Sequence, residues 1–252
     1  KLVRASDQAL VWSQSYEREL TDVLGLHLTL STAIAEQIHF RVSNETRASI
    51  ERRQTRNAQA YDLYMRGRTL WLERKPATNR RALDYYQAAI ALDNDYALAW
   101  SGMADAYAAS PVNGDMDPSL VGRPARDAAK NAVRAEPELA EAQVSQALVD
   151  FWLEWNWPAA ERTLRRALTL NSGYPLAHLM LGNVFSHSGR DREAREEIRR
   201  GRQLDPFDPM DRAILSAASP RAAALRVDWV LERDYPITPD FLAICHGWGS
   251  PS

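Results

Sequence analysis

Small residues and large apolar residues recur in step along the middle of the chain. From residue 140 to residue 208 the sequence carries two successive copies of one amphipathic pattern, in which apolar positions recur at helical spacing. The matching small positions of the two copies are Ala147 and Gly182, Ala160 and Ala194, and Ala167 and Gly201. Each pair is separated by about 34 residues, an offset that indicates stacked helix–turn–helix units.

The small residues predict where helices cross. Alanine or glycine at a crossing point lets two helix backbones approach closely, and large apolar residues one turn away fill the remaining space. Leu164 and Leu168 are suited to this role in the first copy, and Ile198 in the second. One such unit cannot bury its apolar face alone, so the pattern predicts copies that stack into an array.

The same order of residue types extends towards the N terminus. The segment Trp100-x2-Met103-Ala104-x2-Tyr107 reads as a first helix, and Tyr86-x2-Ala89-Ile90 reads as part of a second helix. These residues resemble tetratricopeptide repeats (TPRs), whose first helix carries W-x2-L-G-x2-Y and whose second helix carries A-x3-F-x2-A and ends in proline. The resemblance covers about two-thirds of the chain, and it implies an all-α, right-handed superhelix of helix hairpins.

Helix start and stop signals divide residues 57–219 into about four units. Asn57 is suited to cap a helix that runs through Trp71. Residues 75–79 read as a turn, and a second helix is predicted over 80–92. The array is therefore expected to begin at its first unit close to residue 57.

Breaker residues predict further boundaries within the array. Prolines and glycines between residues 110 and 124 predict a long loop before the second helix of the second unit. Gly189 is expected to end one helix and Asp191 to begin the next. Trp155 and Trp157 are expected to pack the turn between the two helices of the third unit.

The N-terminal part of the chain does not follow the repeat. Residues 1–18 predict a β-hairpin or its remnant, and residues 21–42 predict a helix with a broad apolar face. Residues 11–23 and 34–38 resemble the end of the TolB-like domain that precedes TPRs in bacterial regulators with winged-helix, kinase or cyclase domains. The resemblance implies that residues 1–56 are a remnant of that α/β domain followed by a linker.

The C-terminal residues 220–252 predict a capping helix followed by an irregular tail, because a repeat stack otherwise exposes the apolar face of its last unit. A tail that is not part of the native fold remains an alternative. The first residue is Lys1, and we expect the chain to be a piece of a longer bacterial signalling or transcriptional regulator, most of whose other domains lie outside it. The compartment stays open, as does a membrane anchor elsewhere in the parent protein.

Composition excludes several classes of function. Hydrophobic residues make up 45% of the chain, charged residues 25%, and the net charge is −2, so no strong attraction to nucleic acid or to an acidic membrane is expected. The single cysteine, Cys245, cannot form an intramolecular disulfide. No apolar run reaches the length of about 18 residues that a membrane span requires. The many arginines leave a nucleic-acid-binding regulatory segment as an alternative function.

Motifs of catalytic or metal sites are missing from the sequence. It has no phosphate-cradling glycine loop, no G-x-S-x-G and no H-E-x-x-H, so we expect no enzyme activity, no cofactor and no metal. His178 and His187 lie on one helix at a spacing that suits no shared metal ion. The remaining enzymatic alternative would use the 110–124 loop with Asp115, Asp117 and His187.

The TPR resemblance implies a concave surface that is lined by the first helices and that holds a peptide or a helix. By register, this groove is formed by residues of the third and fourth units, namely Val144, Leu148, Phe151, Trp152, Leu179, Asn183 and His187. Most of these residues are apolar or aromatic, which suits a partner helix or an extended peptide. We therefore expect a non-catalytic scaffold with a protein or peptide partner.

Two further points concern what this groove could hold. It is not expected to grip a peptide C terminus through a carboxylate clamp, because Ser101, Val144 and Leu179 stand where that clamp needs converging basic and amide side chains, and only Asn183 fits. The chain could also fill the groove itself, either with the helix predicted over 21–42 or with the C-terminal tail.

Overall fold

The structure is a computed structural model, and the residues it describes are 2, 3, 10–13, 15, 29, 30, 33, 55–73, 75–111 and 114–205. Within these residues the helices are α1 (Ala58–Leu72), α2 (Pro76–Leu92), α3 (Ala97–Ala109), α4 (Pro118–Ala135), α5 (Ala140–Trp152), α6 (Trp157–Leu170), α7 (Pro175–His187) and α8 (Asp191–Leu204).

Consecutive helices pair into four hairpins, and each hairpin is one unit. The first helices α1, α3, α5 and α7 each pack against the second helix of their own unit. Each first helix also contacts the first helix of the following unit, and α2, α4 and α6 contact the next first helix. The predicted all-α stack of hairpins is therefore confirmed. We call the surface lined by α1, α3, α5 and α7 the first-helix face.

The small residues of the repeat lie at the helix crossings, as the pattern predicts. Ala147, Ala160 and Ala194 are fully buried. A Cβ atom added to Gly182 of α7 would lie 2.6 Å from Cγ1 of Ile198 in α8. A Cβ atom on Gly201 of α8 would lie 2.8 Å from Cγ of Leu179 in α7. The two helices of the fourth unit are therefore so close that neither position has room for a side chain.

The ring of Tyr86 packs against one glycine in each of the first two units. Tyr86 of α2 is almost fully buried. A Cβ atom on Gly67 of α1 would lie 2.8 Å from Cε1 of this ring, and one on Gly102 of α3 would lie 2.6 Å from it. Because the ring occupies the space of both missing side chains, Tyr86 packs α2 tightly against both first helices.

The start of the array agrees with the sequence at Asn57 and differs from it at Pro76. The Asn57 side chain accepts hydrogen bonds from the backbone N–H groups of Gln59 and Ala60, both at 3.0 Å, and thereby caps α1. The predicted turn over 75–79 is wrong, because α2 begins at Pro76. Proline suits the first position of a helix, where its missing N–H would have no partner in the helix.

The loop predicted over 110–124 is wrong in its second half, because α4 begins at Pro118. Asp117 precedes this helix, and its carboxylate accepts a hydrogen bond of 2.8 Å from the backbone N–H of Ser119. Pro124 lies inside α4. Because proline has no backbone N–H, it cannot donate a helical hydrogen bond to the carbonyl of Leu120. Leu120 is an exposed residue in the first turn of the helix.

The turn within the fourth unit follows the sequence closely. α7 ends at His187, Gly189 has a positive φ of 74°, and α8 begins at Asp191. Glycine adopts this left-handed conformation without strain, which is why it commonly follows a helix. The predicted boundary between these two helices is confirmed.

The N-terminal hairpin is present as two short strands. β1 (Leu2–Val3) and β2 (Leu10–Trp12) pair in antiparallel fashion, with Leu2 opposite Trp12. Most of the helix predicted over 21–42 lies outside the described residues, as do the end of the array after residue 205 and the capping helix and tail over 220–252. The assignment of residues 1–56 to a TolB-like remnant stays a prediction.

Candidate functional site

The residues predicted to line a groove lie on α5 and α7, which contact each other on the first-helix face. Val144, Leu148, Leu179 and Asn183 are buried, and Leu148 has no exposed surface at all. Phe151 is also buried, whereas Trp152 and His187 are half-buried. The predicted residues therefore form two groups, the buried ones beneath the surface and an accessible pair, Trp152 and His187, at the ends of their helices.

The C-terminal ends of α5 and α7 carry a cluster of aromatic rings. The His187 ring lies edge-on to Phe151, with centroids 5.0 Å apart, and 5.3 Å from the ring of Trp157. Trp152 packs against Phe151 at 6.5 Å. Nδ1 of His187 lies 2.9 Å from the carbonyl oxygen of Asn183 and donates to it, because a carbonyl can only accept. The structure thus brings Phe151, Trp152 and His187 together as one aromatic end of the first-helix face.

A second, polar end of the first-helix face was missed by the sequence analysis. Burial on its own would lower the pKa of Arg68 in α1, but the neighbouring Tyr64, Tyr174 and Asp105 outweigh it and raise that pKa. The Ser145 hydroxyl of α5 donates to Oδ1 of Asp105 in α3 at 2.6 Å. Burial raises the pKa of the Tyr174 phenol well above its ordinary value. Arg68 and Asp105 therefore lie close to the phenols of Tyr64 and Tyr174.

The register contained the signal for this polar end. Gly67 occupies in the first unit the place that Ala104 and Ala147 occupy in the next two, so Tyr64 and Arg68 match positions already assigned to the groove. The involvement of Tyr174 had no such signal, because it precedes α7 and its proximity to Arg68 depends on how the units stack.

Two hydroxyl groups of the first-helix face have no hydrogen-bond partner within the described parts of the chain. They are Oγ of Ser101 in α3 and Oγ of Ser186 in α7, both in buried side chains. A buried hydroxyl without a partner destabilises a fold by about 1–3 kcal/mol.

Trp155 does not pack the turn between α5 and α6, and that prediction is wrong for this residue. Its side chain is 69% exposed, and its φ of 53° places the backbone in the left-handed region. Trp157 is half-buried and packs against His187, as expected of a turn residue. The backbone of the turn, which the sequence does not reveal, directs one indole outwards and the other inwards.

The residues of the enzymatic alternative have structural partners in the chain. Asp115 has a buried carboxylate that accepts from Nε of Arg80 at 2.6 Å and from Nδ2 of Asn79 at 3.3 Å. Asp117 caps α4, and His187 belongs to the aromatic end. No group of three or more metal-binding side chains occurs within the part of the chain that the structure describes.

The arginines of the second helices are interleaved with glutamates. In α6, Arg165 pairs with Glu161 at 2.7 Å, and Arg190 at the start of α8 reaches the same carboxylate at 2.8 Å. Arg190 also pairs with Glu193. These pairs reduce the positive charge that a nucleic acid would meet on this side of the stack. No described helix is both long and apolar enough to cross a membrane.

No family model matches the sequence, and no curated protein is similar to it in sequence. Among solved structures, the chain is similar to TTC0263, a thermophilic TPR protein of Thermus thermophilus, with a TM-score of 0.52, 22% identity, and coverage of 81% of this chain and 97% of that one.

Two further structures match more distantly. MamA has a TM-score of 0.42 and 16% identity, over 72% of this chain and 98% of its own. YrrB, described as a TPR protein with an unusual peptide-binding site, has a TM-score of 0.41 and 21% identity, over 81% of this chain and 91% of its own. The paired hairpins and the similarity to TTC0263 show that the protein has the TPR fold.

Proposed function

We propose that the protein is a non-catalytic scaffold that binds a peptide or a helix of a protein partner on its first-helix face. The observation that carries this proposal is the continuity of that face, on which α1, α3, α5 and α7 contact one another in sequence. One end of it is aromatic and the other polar, so a bound segment would meet apolar and charged groups in a fixed order. Proteins commonly bind helices and extended peptides through such combinations of apolar anchors and polar groups.

The buried members of the predicted site have a supporting role in this proposal. Val144, Leu148, Leu179 and Asn183 shape the surface from beneath, whereas a partner would contact Trp152 and His187 directly. Tryptophan supplies a large contact area and is enriched among residues that dominate binding energy. Trp152 is therefore the residue whose removal should weaken binding most.

The wider context of the chain rests on the resemblance of the N-terminal residues alone. We propose that the chain is the C-terminal part of a bacterial signalling or transcriptional regulator, because residues 11–23 and 34–38 resemble the TolB-like segment that precedes TPRs in such proteins. Sequencing the DNA upstream of codon 1 tests this proposal. An open reading frame without a winged-helix, kinase or cyclase domain would contradict it.

The binding proposal is tested by selecting peptides from a random library displayed on phage and titrating a selected peptide against purified variants. Trp152→Ala should weaken binding by about tenfold or more, as removal of an aromatic anchor does. Leu120→Ala is the matched control, because Leu120 is an exposed residue of α4, a second helix. If a selected peptide bound Trp152→Ala and Leu120→Ala as tightly as it bound the unaltered protein, the first-helix face would not be the binding surface.

A further inference from the structure

Trp155 has a backbone conformation that glycine has at the matching place of the next unit. Its φ is 53°, and Gly189, about 34 residues later, has a φ of 74°. Within the described residues, Trp155 alone has a positive φ without being glycine. A bulky side chain in this region is strained, and strained residues cluster at ligand-binding sites. The turn between α5 and α6 thus carries a tryptophan where glycine would be less strained.

The packing of the Trp155 indole within the chain offsets little of the free energy lost to this backbone strain. It is 69% exposed, although tryptophan is usually well buried in folded proteins. An exposed and strained tryptophan therefore stabilises the fold less than a glycine would. The physical reason for its presence has to be sought in what the side chain can contact outside the chain.

The turn holds this indole on a rigid base. The backbone N–H of Asn156 donates to the carbonyl of Asp150 at 2.8 Å, and the Asn156 side chain caps α6. The ring of Trp155 lies 6.5 Å from that of Trp157, at an interplanar angle of 50°. Trp157 in turn packs against His187 of α7. A side chain that is presented rigidly loses little conformational entropy when a partner binds it.

Two carboxylates lie at this turn, namely Asp150 near the end of α5 and Glu154 in the turn itself. Partial burial raises the pKa of Asp150, the hydrogen bond from Gln146 lowers it, the charge of Glu154 raises it and that of Arg162 lowers it. Glu154 itself pairs with Arg126 of α4. Asp150 is hydrogen-bonded to the neutral amide of Gln146 at 3.0 Å. Because Arg126 already pairs with Glu154, whereas the hydrogen-bond partner of Asp150 carries no charge, Asp150 is the carboxylate near this turn that would attract a cation from outside.

We propose that the turn between α5 and α6, with Trp155 and Glu154 in it and Asp150 at the end of α5, is a docking surface for an arginine side chain on an exposed segment of a partner protein. A guanidinium stacks well on an indole face and donates hydrogen bonds to carboxylates. Lysine fits less well, because its compact ammonium is more strongly hydrated. The two indoles are too close at 6.5 Å to enclose a ligand between them, so the cation lies on the outer face of Trp155.

This surface is separate from the binding proposed for the first-helix face. Its two exposed contact groups, Trp155 and Glu154, belong to the turn before α6, whereas the earlier proposal depends on Trp152. A partner could occupy either surface without the other. The variants for the two tests differ, so failure of one proposal is distinguishable from failure of the other.

The test is a titration of the full chain, labelled with ¹⁵N in its tryptophan indoles, by capped Gly-Arg-Gly-Arg-Gly. The probe in which citrulline replaces arginine keeps the shape and removes the charge. We expect the arginine peptide to shift the Trp155 indole signal saturably and to bind about tenfold more tightly than the citrulline peptide, as a cation–π contact with a carboxylate nearby would give. Asp150→Asn should weaken binding of the arginine peptide and reduce its salt dependence.

Trp155→Gly should abolish this binding without lowering the melting temperature, because glycine suits the left-handed backbone. Trp155→Asn, another residue that tolerates this conformation, is the second variant, and Leu120→Ala is a control that removes an equally exposed apolar side chain. Equal affinity for the arginine and citrulline peptides would overturn the proposal. So would unchanged arginine binding in both Trp155 variants, or a capped pentaproline that binds more tightly than the arginine peptide.

Discussion

Substituting leucine for Gly182 tests whether the repeat register places helix crossings where the structure has them. A Cβ atom at this position of α7 would lie 2.6 Å from Cγ1 of Ile198, 3.1 Å from the carbonyl oxygen of Ala194 and 3.2 Å from the backbone nitrogen of Ile198. The Ile198 side chain can rotate away, but the two backbone atoms can move only if α8 moves. Gly182→Leu therefore has to separate α7 from α8.

The magnitude follows from two opposing terms. Leucine has a higher helix propensity than glycine by about 0.8 kcal/mol, which favours the variant. Overpacking a crossing costs about 1–3 kcal/mol or more. Because two of the three closest atoms belong to the backbone, the upper part of that range applies, and the net loss in the free energy of unfolding should be about 2 kcal/mol.

Gly122→Leu in α4 is the matched control. It is a glycine-to-leucine change inside a helix, and nothing lies within 4 Å of a Cβ atom at this position. Only the propensity term remains, so this variant should gain about 0.5–1 kcal/mol. The two substitutions are chemically identical and are expected to change the free energy of unfolding in opposite directions.

The assay is urea unfolding followed by far-UV circular dichroism, together with amide hydrogen exchange resolved by helix. Repeat arrays can lose single units before the rest, so exchange is needed to assign the loss. Amides of α7 and α8 should exchange faster in Gly182→Leu, whereas those of α1–α4 should change little. If Gly182→Leu were as stable as Gly122→Leu, the close approach of α7 and α8 at this position would be refuted.

Three further predictions concern single contacts. His178 is buried with Nδ1 2.6 Å from Oε2 of Glu197, so a double-mutant cycle of His178→Phe and Glu197→Gln should show a coupling of about 0.5–3 kcal/mol; a coupling near zero would contradict the contact. Hydrogen bonds from Ser119 lower the pKa of Asp117, so its cap stabilises α4 above the ordinary carboxyl pKa and is lost as the pH falls through the lowered value. Exchange of the first amides of α4 should accelerate over that pH range in the unaltered protein and not in Asp117→Asn, and equal pH profiles would count against the cap. Trp155→Gly should raise the free energy of unfolding by about 1 kcal/mol, because it removes a left-handed non-glycine residue, and a lower value in urea unfolding would show that the indole packs usefully.

The fold was predictable wherever side-chain volume decides the structure. Ala147 and Gly182 mark crossings because two helices cannot approach closely around a larger residue, and the spacing of such residues is visible in the sequence. The helix starts at Pro76 and Pro118 were not predicted, because proline is equally suited to a turn and to the first position of a helix. Which of the two applies depends on the residue before it, Lys75 or Asp117, and on the packing that follows.

The candidate site was predictable only in part, because register fixes where a side chain lies along a helix but not what surrounds it. Leu148 and Trp152 are one turn apart on α5, and the first is fully buried while the second is half-buried. Arg68 shares its register position with Asp105 and Leu148, yet its surroundings include Tyr174, which precedes the first helix of the fourth unit. Such neighbours follow from the curvature of the stack, which the sequence pattern does not specify.

The turn before α6 shows that the sequence pattern also leaves the backbone conformation of a turn unspecified. Trp155 and Gly189 occupy equivalent turns and both have a positive φ, so the turns of the third and fourth units share a left-handed residue at this point despite their different side chains. In the fourth unit glycine meets that requirement without strain. In the third unit the same requirement directs an indole outwards and leaves it 69% exposed. The repeat therefore determines the direction of the Trp155 side chain, and the proposed arginine contact would account for a tryptophan at a position where glycine would be less strained.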